Sequence, residues 1–447
     1  MNTWCYLNKP GWKASVTAAS IATLLLTDGL IAAEYWVRPN LGGDDHRLCL
    51  EDSPCKLSAD VLALLAAGDQ LHLKSGIYSP TLIEGIHGAA DAPIVISGPK
   101  AHAGQAIFSG QTTDTSTRDL LELKQCSNII VRDVGMRAAF RSGIRVNNSH
   151  NVTLKRINVS SAGKWAVFSN HSNFLSVVDS TLKGPTSQHG IYLSNSGDNA
   201  TLLNNHISGF AGSGIHVNGD LSMGGAPGVV ADGVISNLVI AGNWIDRNGK
   251  SGGAAINLDG ALNTVISNNL ITSPYGAGVA LFRGDAARGS NWVDIHNNLI
   301  VGAAQSRDLL IFNQSGTDNT VQNNILIVRD ASVHAINVHK NEKKNGRSTY
   351  GPLPFTSSDN FYWVEGSLIE LGNNSLSAPR VANHPLLGLR KLKEHPQISV
   401  TENLGYFLST QLAELVKLKG IGSANSYLNG DRINLPAPGQ EDTQTPK

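Results

Sequence analysis

Three successive stretches of the chain carry side chains that can move protons or hold ions: His189, Tyr192 and Ser194; then His216, Asn218 and Asp220; then Asn257 and Asp259, followed by Arg283 and Asp285. An imidazole titrates near neutral pH, so His216 or His189 can act as a base, and the Tyr192 phenol can return a proton as an acid. Tyr192 is equally suited to be a stacking platform for a sugar ring. Asp220, Asp232, Asp259 and Asp285 form an oxygen-rich set that suits Ca²⁺, although Asp beside Gly more often hydrogen-bonds its own backbone. Asp259 and Asp285 are also the pair a hydrolytic mechanism would draw on.

These groups need a scaffold that repeats. Eight Asn residues each open a short apolar run, at 128, 151, 173, 199, 237, 263, 291 and 319, which are 22 to 38 residues apart. Upstream of each Asn lies a second run with alternating apolar positions, as in Gly190-Ile-Tyr-Leu-Ser, Gly214-Ile-His-Val-Asn and Ala255-Ile-Asn-Leu-Asp. A third follows, as in Asn243-Trp-Ile and Asn269-Leu-Ile. Two or three short strands per turn, joined by Asn and Gly turns, describe an all-β parallel β-helix whose rungs stack about 4.8 Å apart. The eight Asn are expected to hydrogen-bond one another from rung to rung.

Alternation sends Ile191, Leu193, Ile215, Val217, Ile256 and Leu258 inward. It places Arg145, Phe168, Tyr192, His216, Asn257, Ala280 and Asn337 in one outward column, and Asn147, Asn170, Ser194, Asn218, Asp259, Phe282 and His339 in the next. The small residues Gly143, Ala166, Gly190, Gly214, Ala255, Gly278 and Ala335 are expected to form a further outward column against which a polymer can lie. The longest interval places an insertion, Asp220 to Asp232, beside the same face, where a long loop is expected to serve binding.

Of 447 residues only 16% are charged, 35 of each sign, so no basic surface for nucleic acid is present. Gly at 46 residues excludes a coiled coil and a helical bundle. No Gly-rich phosphate loop, Gly-x-Ser-x-Gly elbow, His-Glu-x-x-His or Cys/His zinc spacing occurs, and no organic cofactor is expected. Residues 1–33 read as an export signal: Lys9 and Lys13 precede an apolar stretch from Ala14 to Leu26, and Ala32-Ala33 offers a cleavage site. A secreted or periplasmic, monomeric protein without a membrane span after signal removal is expected. In that setting Cys49 and Cys55 are expected to form a disulfide, leaving Cys126 as a buried thiol. Residues 34–363 form the coil with its N-terminal cap, which includes a helix over Lys56 to Ala67; residues 364–434 form an irregular capping segment with a helix from Leu404 to Lys419, and 435–447 a disordered tail.

The run Ala67-Gly-Asp-Gln-Leu-His-Leu-Lys-Ser-Gly-Ile-Tyr, followed by Ala92-Pro-Ile-Val-Ile, resembles the opening of pectate-lyase-like right-handed parallel β-helix proteins of polysaccharide metabolism. With the Asn-led rungs the resemblance spans residues 34–363. That family contains lyases, hydrolases, epimerases, esterases and non-catalytic spikes, so it is specific for fold rather than chemistry. It implies a linear, acidic polysaccharide as partner. Cleavage of a uronate polymer by β-elimination needs neutralisation of the substrate carboxylate, a base for the C5 proton and an acid for the leaving oxygen. Arg283, Asn218 and Asn257, or Ca²⁺, would supply the first; His216 or His189 the second; Tyr192 the third. Ser194 and Arg145 are further substrate-binding candidates on the same columns. A C5-epimerase would use the same groups, and a hydrolase would need two carboxyls about 5 Å or roughly 6.5 to 9.5 Å apart. A non-catalytic glycan-binding surface protein is the remaining alternative.

Overall fold

In the computed structural model, residues 32–364 are described except for 40–48, 101–105, 112, 114, 116–117, 196, 224–231, 304, 329–332, 340–341, 345–346, 350–352 and 359; beyond 364 only strands 389–391, 398–400, 405–408 and 433–434 are described. The expected export signal (1–31 of it), most of the C-terminal segment and the tail lie outside the described residues. Within them the expected parallel coil is present. Each turn contributes one strand to each of three parallel sheets of 14, 12 and 10 strands, here sheets 1, 2 and 3. One turn runs Val134–Ala139 in sheet 2, Ser142–Asn147 in sheet 3 and His150–Lys155 in sheet 1; the next runs Asn158–Ala162, Trp165–Asn170 and Asn173–Val178.

Stacking of like residues fills the interior. In sheet 3 Ile144, Val167, Ile191, Ile215, Ile256, Val279, Leu310 and Ile336 lie in register, and all are fully buried. Covering one such side chain stabilises by roughly 1.5–3 kcal/mol.

The Asn residues divide into two systems. The outer register pairs only in places, as Asn151 to Asn128 at 2.7 Å and Asn237 to Asn199 at 3.1 Å, and these contacts are exposed. Asn128, Asn151, Asn199, Asn237 and Asn263 have positive φ, so their recurrence reflects a left-handed turn that Asn tolerates. The continuous ladder is elsewhere, at the corner between sheets 1 and 2. Asn205, Asn243, Asn269, Asn298, Asn324 and Asn360 are buried and linked side chain to side chain at 2.9–3.0 Å, each also donating to a backbone carbonyl. At four of these corners the preceding residue, Asn204, Asn268, Asn297 or Asn323, takes the left-handed conformation, which explains the Asn-Asn pairs.

The small-residue column faces inward, contrary to expectation. A Cβ on Gly143, Gly190, Gly214 or Gly278 would meet Val159, Ile207, Ile245 or Ile300, all from sheet 2, while Ala166, Ala255 and Ala335 belong to the core. Where the chain turns from sheet 2 into sheet 3, consecutive residues both point inward, and only small side chains fit.

At the N-terminal end, Glu34–Arg38 pairs in parallel with Gln70–Leu73, and the helical pattern of Lys56 to Ala67 yields only the single turn Ala59–Leu62, capped by Ser58. The Cys49–Cys55 disulfide closes this entry, and Cys126 is a buried thiol whose pKa is pushed up by burial. Instead of the start of a helix, Gly405–Leu408 is a strand, antiparallel to Ile398–Val400. Among the described residues no helix is long and apolar enough to cross a membrane.

Candidate functional site

Sheet 3 positions the site through its register. Arg145, Phe168, Tyr192, His216, Asn257, Ala280, Ile311 and Asn337 follow one another as direct strand partners, and Asn147, Asn170, Ser194, Asn218, Asp259, Phe282 and Asn313 form the neighbouring column. The first outward column stands as expected, with Ile311 of the additional rung Leu310–Asn313 between Ala280 and Asn337; the second stands from Asn147 to Phe282 and continues to Asn313, while His339 lies just past the end of the strand Ile336–Val338.

The centre of the face is a stack of rings. His189 lies parallel to His216 with centroids 4.5 Å apart, Tyr192 sits 5.0 Å from His216 and 5.3 Å from His189, and Phe168 and Trp165 continue the stack at 5.4 and 5.7 Å from Tyr192. Repetition of rungs makes this stack, because one outward position per turn recurs at a spacing close to ring contact.

Hydrogen bonds assign the rings. His189 Nδ1 accepts the Ser213 backbone N–H at 2.9 Å, so the neutral ring carries its proton on Nε2 and has no lone pair to take another. His216 Nδ1 lies 2.8 Å from Asn257 Nδ2, which donates to it and leaves the ring proton on Nε2; a half-turn of this amide brings the Asn257 oxygen to Nδ1 and leaves Nε2 with the lone pair a base requires. Asn218 Nδ2 donates to the Tyr192 hydroxyl at 3.1 Å, leaving the phenol proton free to be given to a ligand. Burial pushes His189 down to about 4; burial, with His189 alongside, pushes His216 down to about 3. Both rings are therefore neutral at physiological pH.

These shifts have a measurable consequence for stability. A histidine with a lowered pKa in the fold is protonated first in the unfolded chain, so its contribution is complete above the ordinary value of 6.5 and declines as pH falls towards 4. Between those limits each ring costs about 1.4 kcal/mol of folding stability per pH unit. Denaturant titrations from pH 7 to 4 are expected to show this slope, and the His189→Gln/His216→Gln double variant to lose the share of these two rings and keep that of His206, which burial also pushes down to about 4.

The remaining expected residues are distributed differently. Ser194 is buried beside Asn218 on the same face. Arg145 is answered by Glu122 at 3.4 Å and Asp119 at 3.9 Å and stacks over Phe168, so its charge is already paired. Arg283 is exposed past the end of its strand and lines a cavity of about 330 Å³ with Arg288, Asn291 and Gln314, which none of His189, Tyr192 and His216 enters. The four Asp residues do not converge: Asp220 accepts from Ser222, Asp232 from the Val234 N–H, and the buried Asp259 holds the Gly284 and Asp285 N–H groups with one oxygen each. Asp285 is exposed. Among the described residues no three His, Cys, Asp or Glu side chains assemble as a metal site. With Asp220, Asp232 and Asp259 committed to turns, the set does not fit Ca²⁺ coordination.

Beyond Asn257 a cavity of about 290 Å³ is lined by Asn257, Ala280, Phe282, Arg307, Ile311, Asn313 and His339. Next to Arg307, the Asp308 carboxylate is engaged by His334 at 2.6 Å and by Asn337; burial pushes its pKa up, but these hydrogen bonds outweigh that and hold it below the ordinary range.

The chain matches the family model for a right-handed beta helix region over residues 142–347. No curated protein sequence matches it. Among solved structures, the GH136 lacto-N-biosidase from Eubacterium ramulus superposes with a TM-score of 0.51 at 11% identity, covering 81% of this chain and 67% of that one. The surface adhesin PfbA of Streptococcus pneumoniae gives 0.49 at 13% identity, covering 82% and 95%, and an alginate lyase from Paenibacillus sp. gives 0.40 at 15% identity, covering 74% and 93%. The chain thus has the right-handed parallel β-helix fold.

Proposed function

We propose that this protein is an exported enzyme that cleaves an acidic, uronate-containing polysaccharide by β-elimination on the outward face of sheet 3. The observation that carries the reading is the contact of a neutral imidazole, His216, with a phenol, Tyr192, at the centre of a long parallel face. Such a face offers side chains at the fixed intervals a linear polymer needs. In the reaction the Asn257 amide is turned so that its oxygen accepts from His216 Nδ1–H, His216 Nε2 takes the C5 proton, the electron pair forms the C4–C5 double bond, the C4–O bond breaks, and Tyr192 protonates the departing oxygen. Asn257 orients His216, and Asn218 orients Tyr192.

Hydrolysis fits less well, because both oxygens of Asp259 hold backbone N–H groups and its carboxylate has no free edge for acid–base work. A glycan-binding surface protein is the second reading, favoured by the run of rings from Trp165 through Phe168 to Tyr192. A lacto-N-biosidase on the same fold is a precedent for glycan chemistry on a β-helix. The Cys49–Cys55 disulfide supports an oxidising compartment.

Ultraviolet absorbance during incubation with a panel of uronate polymers, with and without a chelator, tests the proposal. A rise marks the unsaturated sugar left by β-elimination, and its loss on chelation would show a metal requirement. Shortened chains without a rise would replace the reading with hydrolysis; binding with neither would favour the adhesive alternative, and altered C5 configuration the epimerase.

The role of Asn257 gives a separate expectation. Asn257→Asp places a carboxylate against His216 Nδ1, fixes the proton there and favours the charged ring. The acid limb of the pH–rate profile is expected to move up by about 1–2 units.

A further inference from the structure

We infer that the cavity beyond Asn257 is the subsite for a hexuronate unit, with Arg307 as the group that receives its carboxylate. The inference rests on the proposed reading of sheet 3 and adds the element that reading lacks, a cation beside the reacting sugar. The cavity begins on the rung after His216: Asn257 is at once the partner of His216 and a wall of the cavity, and Ala280 and Ile311 continue its floor along the same column. Its volume of about 290 Å³ matches the lower end of ligand cavities.

The lining has the chemistry of a sugar acid. Ala280 and Ile311 belong to a small apolar cluster outside the main core, and they present a flat, apolar floor to a sugar face. Asn257 and Asn313 stand beside it with amides for ring hydroxyls, and His339 adds an imidazole. Arg307 is the cation among the cavity residues, exposed on the lip, and it takes part in no ion pair among the described residues. The nearest carboxylate in sequence, Asp308, is committed to His334 and Asn337. By contrast Arg145 is paired with acids, and Arg283 opens onto a different cavity. A planar guanidinium in no ion pair among the described residues, lining one cavity with an apolar cluster and two amides, suits a carboxylate carried on a sugar ring.

The test is direct binding, measured by titration calorimetry with oligogalacturonate, oligomannuronate and oligoguluronate and with the same oligomers reduced at the carboxyl group. The proteins are the full chain, Arg307→Ala and, to remove turnover, His216→Ala in both backgrounds. Arg307 is exposed, so circular dichroism is expected to show an unchanged fold. The expected result is that Arg307→Ala weakens binding of one acidic oligomer by about tenfold to a hundredfold and leaves the reduced oligomer unaffected. Equal loss for acidic and reduced oligomers, no loss for either, or no binding of any acidic oligomer by the full chain would overturn the assignment. Arg307-dependent acidic binding without any unsaturated product would retain this subsite and overturn the proposed reaction.

Discussion

His216→Ala is expected to lower the rate of uronate cleavage by about 10²–10⁴-fold, the span assigned to one positioned acid or base. The ring is outward, its neighbours on either side in the column are Tyr192 and Asn257, and none of the core residues of sheet 3 depends on it. The lost contacts are the stacks on His189 and Tyr192 and the hydrogen bond to Asn257, so the unfolding midpoint is expected to move by a few degrees at most. Kinetics alongside thermal melting checks this. A protein that melts normally but binds oligosaccharide more weakly, with no turnover in either form, would move the assignment from catalysis to adhesion. Loss of folding would show that His216 is a structural ring.

The second large effect concerns the scaffold. Asn298 Oδ1 accepts from the Asn269 backbone and side chain, and its Nδ2 donates to Ile266 and His296 carbonyls and to Asn324. Asn298→Ala strands several of these buried groups at once, each at about 1–3 kcal/mol, so a destabilisation of roughly 3 kcal/mol or more is expected by denaturant unfolding. Asn263→Gly provides the control. Asn263 is exposed, bonds Asn237 at 3.4 Å and occupies a left-handed turn that Gly also adopts, and its loss is expected to cost about 0.5 kcal/mol or less. Similar losses at the two positions would contradict the division into an outer turn register and an inner ladder.

The contrast between these two Asn systems shows what the chain makes readable. The outer Asn recur once per turn and each opens an apolar run, so they announce the period; four of the six inner ones sit in Asn-Asn pairs, where the first takes the turn and the second the buried ladder, and spacing alone does not separate the two roles. Alternation within strands places Tyr192, His216 and Asn257 in one column, because a strand has period two. The same rule fails for Gly190, Gly214 and Gly278, since two adjacent residues point inward at the sheet 2 to sheet 3 corner.

Turn residues escape periodic reasoning altogether. Asp259 looks like a functional carboxylate from its place beside Asn257, and its partners are the amides of the turn one rung later. Arg283 follows a sheet 3 strand yet opens onto another cavity, whereas Arg307, distant in sequence from His216, reaches the cavity that Asn257 shares. Only the three-dimensional path of the loops distinguishes these two arginines.

The proposed reaction turns on removal of the C5 proton of a uronate at sheet 3. Proton NMR of the preferred polymer in D₂O, with the unaltered protein and with His216→Ala, addresses it directly. The C5–H signal is expected to be lost with the unaltered protein, accompanied by unsaturated product, and to persist with His216→Ala. Chain shortening with every C5–H signal intact would contradict it.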